Sequence, residues 1–213
     1  MDLDEAYSVK TPQDSKKLYA SWAATYNETF IKANDYVYPL AIAQHFDERV
    51  ATADVSTVID IGCGTGAVGS FLANLRPVLC IDGFDISPEM LAEAATLRRI
   101  GNSPVYARLV EVDLTAELPL CEYDAMISAG TFTHGHLGPG TLINLLQLVR
   151  IGGWFVVGIN SKHFVSQGFG DALKVAFDSG KISKPECQDT QIYGPTSPHF
   201  GDLATIATFR RTN

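Results

Sequence analysis

The run VIDIGCGTGAVGS, residues 58–70, decides how the rest of the chain is read. A short β-rich stretch ends at Ile61, glycines follow at 62, 64 and 66, and an apolar run begins at Ala67. A strand that feeds a glycine turn and then a helix lets the backbone approach a ligand closely and faces it with a helix N-terminus. Two nucleotide-binding patterns overlap in these residues. From Gly64 the chain reads G-T-G-A-V-G, a match to the dinucleotide fingerprint G-x-G-x-x-G. From Asp60 it reads D-I-G-C-G-T-G, with an acidic residue near the strand end, just ahead of the first glycine. The acidic residue that the dinucleotide reading wants about 20 positions on is supplied by Asp85, so that test does not separate the two.

Working outward, β-rich runs alternate with helix-like ones. TVIDIG, PVLCIDGFD, VYARLVEVDL, YDAMISAG and GGWFVVGIN are the strand candidates, each ending near Gly, Asp or Ser. Between them lie helix-like stretches at about 66–75, SPEMLAEAATLRR and GTLINLLQLVR. Ser87 is a good N-cap with Pro88 at the first helical position. KISKPECQDTQIYG and DLATIATFRR read as two late strands, a hairpin-like ending joined by a Gly/Pro-rich loop. A helical, aromatic preface occupies residues 12–50. The expectation is an α/β, doubly wound, Rossmann-like sheet of seven mostly parallel strands, with an antiparallel last strand and an N-terminal helical lid. With no linker or low-complexity segment, residues 1–213 are expected to form one domain, 1–50 as cap and 51–213 as core.

Composition excludes several classes. A net charge of -8, with only the short basic pairs Lys16-Lys17, Arg98-Arg99 and Arg210-Arg211, argues against a nucleic-acid partner. MDLDEAYSVK is acidic and carries no apolar core, so no secretory signal is expected, and no run approaches a membrane span of roughly 18 apolar residues. Cys63, Cys80, Cys121 and Cys187 lack C-x-x-C spacing, which suits reduced thiols in a cytoplasm and gives no metal site.

Three features favour the second reading of the loop. A carboxylate at Asp60 would repel a pyrophosphate and welcome an ammonium group. GFDISPEML follows the second strand, and VEVDL closes the third with Asp113. Together, D-I-G-C-G-T-G at 60–66, F-D-I-S-P-E-M-L at 84–91 and E-V-D-L at 111–114 resemble the class I S-adenosylmethionine (SAM)-dependent methyltransferases. YDAMISAG at 123–130 and LVRIGGWFVVGI resemble their fourth and fifth motifs, and YASWAATYN at 19–27 looks like the opening of many small-molecule members. GTFTHGH also resembles methyltransferase-like proteins of the Williams–Beuren region group.

The resemblance implies S-adenosyl-L-methionine as cofactor and the following roles. Asp60, Gly62, Gly64 and Gly66, with Cys63 and Thr65 between them, would hold the methionine end. Asp85 would take both ribose hydroxyls and Ile86 would pack on the adenine. Asp113 and Leu114 would frame the adenine edge, and Ser128, Ala129, Gly130 and Thr131 would line the floor near the sulfonium. Tyr26 would reach in from the preface, whose other aromatics (Tyr19, Trp22, Phe30, Tyr36, Tyr38) are read as packing against the sheet. TFTHGHLGPG at 131–140 follows the fourth strand, so His134, and less directly His136, are candidate general bases. His163 and His199 lie in the tail that could close over substrate, and His45 is read as a surface helix residue.

The expected function is methyl transfer to an O, N or C nucleophile on a small-molecule acceptor, without nucleic-acid or membrane partners. The oligomeric state is left open, a homodimer included. Two alternatives stay open: an NAD(P)-dependent oxidoreductase, resting on G-T-G-A-V-G, and a non-catalytic SAM-binding protein.

Overall fold

A computed structural model describes residues 12–134 and 136–213. The acidic N-terminal decapeptide and Gly135, the middle of the H-G-H run, therefore lie outside the described residues. Helix α1 (Pro12–Tyr26) runs into a π-helical turn (Asn27–Lys32), and α2 (Tyr38–Arg49) completes the preface. Strand β1 (Thr57–Ile61) follows, then α3 (Ala67–Leu75), β2 (Cys80–Asp85), α4 (Pro88–Ala94), β3 (Arg108–Glu111) and β4 (Tyr123–Phe132). The second half holds α5 (Pro139–Asn144), a 3-10 turn (Leu145–Leu148), β5 (Val149–Asn160), α6 (Ser161–Ser166), α7 (Phe169–Asp178), β6 (Glu186–Gln191) and β7 (Leu203–Arg210).

The seven strands form one sheet in the order β3-β2-β1-β4-β5-β7-β6. Neighbours from β3 to β5 pair in parallel, while β7 runs antiparallel to both β5 and β6. The late hairpin read from the sequence therefore exists, and its second strand inserts between β5 and the first. That inversion leaves β6 parallel to the first five strands, so six carboxyl ends point the same way.

Period-two alternation splits the core into two layers. Val58, Ala125, Ile127, Val156 and Ile206 face one layer, packed by α2 and α3 with Ile42, Phe46, Val68 and Leu72. Ile59, Met126, Phe155, Val157 and Phe209 face the other, where Leu142, Leu145, Phe169 and Leu173 cover the sheet. Both layers are apolar because parallel strands are covered on each face. Ser87 caps α4 as expected, its Oγ accepting from Met90 N at 3.3 Å, with Pro88 at the first position. Helices α6 and α7 are not marked in the sequence reading. Asn160 starts the first by accepting from Lys162 N and His163 N. His45 is also not a surface residue: it is buried, with Nε2 2.9 Å from Thr208 Oγ1, and burial lowers its pKa.

Candidate functional site

At the carboxyl ends of the strands lies a cavity of about 360 Å³. The glycine loop forms one edge. Gly62, with φ of +64°, fits only as glycine, because a Cβ there would lie 2.0 Å from Thr131 Oγ1. Gly64, with φ of +53°, is different: a Cβ on it would meet nothing within 4 Å, so its side faces open space. The loop is pinned to the next strand. Gly62 N and Cys63 N donate to Phe84 O at 2.8 and 3.1 Å, and Gly64 N donates to Asp85 Oδ2 at 2.8 Å. Three consecutive loop N–H groups are thus satisfied within the protein and do not form an anion cradle of the kind a pyrophosphate needs.

Asp85 closes β2 and reaches the cavity wall, where its Oδ1 also accepts from Ser87 N at 2.9 Å. Burial raises its pKa, and the N–H donors of Ser87, Gly64 and Ile86 oppose that rise. Asp82, three residues earlier, points elsewhere: its Oδ2 accepts from Arg108 Nε and Tyr123 OH at 2.9 and 2.8 Å. The structure therefore separates a cavity carboxylate from a structural one on the same strand.

Asp60 occupies a different place from the one the loop pattern suggests. It is fully buried, shares the face of Val58, and is absent from the cavity wall. Its Oδ2 accepts from Tyr106 OH at 2.7 Å while Oδ1 has no hydrogen-bond partner. Burial, only partly offset by the Tyr106 hydrogen bond, pushes its pKa up to about 7. The physical reason is strand alternation: Asp60 precedes the turn, so its side chain points into a helix-covered layer and not over the strand end. Asp60 thus has no position from which to repel a pyrophosphate, and the pinned N–H groups supply the discrimination instead.

Gly66 and Ser128 also lie off the cavity wall. Gly66 caps α3, and Ser128 Oγ donates to Ile61 O at 2.7 Å, locking β4 to β1. Gly62, Cys63, Gly64, Thr65, Ile86, Asp113, Leu114 and Ala129 do line it. Cys63 is buried, with its thiol pKa pushed well up by burial, so it is an unreactive wall atom. Asp113 Oδ1 accepts from Thr115 N and Oγ1 at 2.9 and 2.6 Å, an aspartate turn that fixes the carboxylate.

The preface supplies a further part of the wall. Tyr26 lines the cavity as expected, stacked on Phe30 at 5.0 Å and edge-on to Trp22 at 4.9 Å. Tyr19, Trp22, Phe30, Tyr36 and Tyr38 line it too, so they are cavity wall as well as packing. Thr65 Oγ1 donates to Asn27 Oδ1 at 2.7 Å, tying the glycine loop to the π-helical turn. Lys16 pairs with Glu111 and anchors α1 to the end of β3.

The two histidines exchange places relative to expectation. His136 lines the cavity, its ring 5.9 Å from that of Tyr19. His134 is not on the wall and sits 5.6 Å from the ring of His163. His163 is itself buried, with Nε2 3.0 Å from Leu137 O, and burial lowers its pKa. His199 packs on Tyr193 at 5.5 Å, and neither it nor His163 lies on the wall. Several wall residues escaped the sequence reading, Asn160 and Tyr193 among them. Asn160 closes β5, a strand end that could have flagged it. Tyr193, beyond β6, is brought in only by the sheet order.

The strand order itself narrows the class, because dinucleotide folds run 3-2-1-4-5-6 without the inserted antiparallel strand. In its fold and in the motifs of its glycine loop the chain is similar to the class I SAM-dependent methyltransferases. A family model described as a methyltransferase domain matches residues 59–155. An uncharacterized methyltransferase of Mycobacterium bovis is 32% identical over 117 residues, covering 53% of this chain and 56% of that protein. A malonyl-[acyl-carrier protein] O-methyltransferase of Bacillus anthracis is 34% identical over 87 residues, covering 40% of this chain and 30% of that one. The chain thus spans about half, or less, of the length of these relatives. Among solved structures, the N-methyltransferase NodS from Bradyrhizobium japonicum, in complex with S-adenosyl-L-homocysteine, superposes with a TM-score of 0.64. It is 15% identical and the match covers 93% of this chain and 98% of that one, a likeness of fold.

Proposed function

We propose that this chain transfers a methyl group from SAM to an O, N or C nucleophile on a small-molecule acceptor. The observation that carries the reading is the open side of Gly64 beside the Asp85 carboxylate on one cavity wall. The residues present fit the cofactor. Asp85 would hold the ribose hydroxyls, Gly62, Gly64 and Thr65 would border the methionine end, and Ile86, Leu114 and Asp113 would frame the adenine. When bound, SAM supplies an electrophilic methyl group on a sulfonium. The chain's own work is then to hold the acceptor in line, to exclude water and to take up a proton where the nucleophile carries one. His136 is the base that we assign to that last task, in place of His134. Asp60 is assigned no contact with ligand; it holds Tyr106 beneath the loop.

A cavity of about 360 Å³ matches small ligands in scale. Among the described residues no helix is long and apolar enough to cross a membrane. A single domain, a cytoplasmic location and an acceptor other than nucleic acid belong to the same proposal, supported by the one continuous sheet, four free thiols and the acidic charge. Calorimetry with S-adenosylhomocysteine and with NAD(P) tests the cofactor. Tight binding of the first and weak binding of the second is expected; the reverse would refute the reading. Methyl-donor turnover across a metabolite panel then distinguishes an enzyme from a non-catalytic binder.

A further inference from the structure

Much of the cavity wall is built from rings. Phe30 lies 5.1 Å from Tyr36, Tyr36 lies 5.7 Å from Tyr193, and Tyr36 and Tyr193 are joined as an isolated antiparallel bridge. Ile31, Pro39 and Ile192 complete this apolar part. Burial holds the Tyr26 and Tyr38 phenols well above their ordinary pKa, so the wall presents neutral rings and no phenolate. Among the described residues of the cavity wall there is no Lys and no Arg, whereas two carboxylates, Asp85 and Asp113, stand at its cofactor end.

Relying on the methyltransferase reading above, we infer that the acceptor is a ring-bearing molecule, neutral or cationic, that carries no carboxylate or phosphate. The physical argument has two parts. An anion taken into this cavity would lose its hydration, find no Lys or Arg on the described wall and meet the field of two aspartates. A flat apolar molecule would gain ring contacts, and a cation would gain the attraction of the ring faces as well. The net charge of -8 acts in the same direction at longer range. This separates the chain from a malonyl-type acceptor, which presents a free carboxylate.

Two matched triplets test the inference by calorimetry on the whole protein, free and saturated with S-adenosylhomocysteine. One is 4-(2-aminoethyl)phenol, 4-(2-hydroxyethyl)phenol and 4-hydroxyphenylacetate; the other is tryptamine, tryptophol and indole-3-acetate. In each triplet the ring is constant and the arm is cationic, neutral or anionic. The amine and the alcohol are expected to bind at least about tenfold more tightly than the carboxylate. Thr133→Lys, which places an ammonium on the wall, should narrow or invert that order. A carboxylate that binds the parent as well as its partners do overturns the inference, and so does failure of every ring compound to bind. Failure of S-adenosylhomocysteine to bind, with the charge order intact, would instead refute the methyltransferase reading and leave the charge preference of the cavity standing.

Discussion

The two walls of the cavity are made in opposite ways. The cofactor wall comes from three successive strand ends, β1 to β3, and its parts are held by backbone: loop N–H groups on Phe84 O and on Asp85, and Asp113 on Thr115. The acceptor wall is gathered from α1, the π-helical turn, the stretch after β4 and the stretch after β6, and it is held by side-chain packing of rings. A wall built on local hydrogen bonds leaves a fixed spacing in the chain. A wall built on packing does not, because any large ring of the right size would serve. The first wall tolerates little change and the second is where acceptor choice can vary.

The sharpest way to break this contrast is Asp85→Ala. Charge-assisted hydrogen bonds are worth about 1.5–3 kcal/mol each in a desolvated site, so losing two should weaken S-adenosylhomocysteine binding by about 10²-fold or more. Asp82→Ala should leave that affinity nearly unchanged and lower stability instead, because Tyr123 and Arg108 lose their acceptor. Equal effects of the two on affinity would erase the distinction between cavity and structural carboxylates.

On the acceptor side, His136→Ala should lower turnover by about 10²-fold with cofactor affinity intact, the usual scale for a lost general base. His134→Ala, away from the wall, should be milder. A pH–rate profile of parent and both mutants, once an acceptor is in hand, reads this directly; a fully active His136→Ala removes the base from the mechanism.

Asp60 sharpens the comparison from below the loop. Its folded pKa of about 7 lies above the unfolded carboxylate value near 4, so between these the native state holds a proton that the unfolded state has lost. Stability is therefore greatest at the acid end of that window, falls as pH rises through it, and levels off above about 7. Asp60→Asn should flatten this slope and raise stability at neutral pH, measured by denaturant unfolding across pH. An unchanged slope would locate the titration elsewhere, Asp85 being the first place to look.

The smallest effect separates two glycines. Gly64→Ala costs left-handed strain of about 1 kcal/mol and has room for its methyl group, so the protein should fold and bind S-adenosylhomocysteine less well. Gly62→Ala drives a methyl group into Thr131 and should be the more damaging to melting temperature. Affinity loss at 64 with stability loss at 62 is the expected pattern in paired melting and calorimetric measurements.

Legibility followed the same division. The glycine run, the Ser87 cap, the choice of Asp85 over Asp82 as the strand-ending carboxylate and the late hairpin were all readable, because each depends on residues close in the chain. Asp60 was misplaced because a motif records order and not which face a strand residue points to. The aromatic preface was undervalued because a ring that packs and a ring that lines a cavity have the same sequence signature. That His136 and not His134 reaches the wall was not readable for a related reason: the order of two imidazoles in a loop does not say which of them faces a cavity.

The sequence by itself determined the alternation of strands and helices, the glycine loop at the first strand end and the resemblance to SAM-dependent methyltransferases. These rest on turn chemistry, capping and period-two burial, all of which act over a few residues. Tertiary structure alone decided that β7 would insert antiparallel between β5 and β6, which carries Tyr193 to the mouth of the cavity. It also decided that six preface aromatics would close over the strand ends and that the described wall would hold two carboxylates and no cationic side chain of Lys or Arg. Those outcomes depend on contacts between residues far apart in the chain, and the physical reason is that packing selects for volume and polarity at a point in space, leaving the position in the chain free.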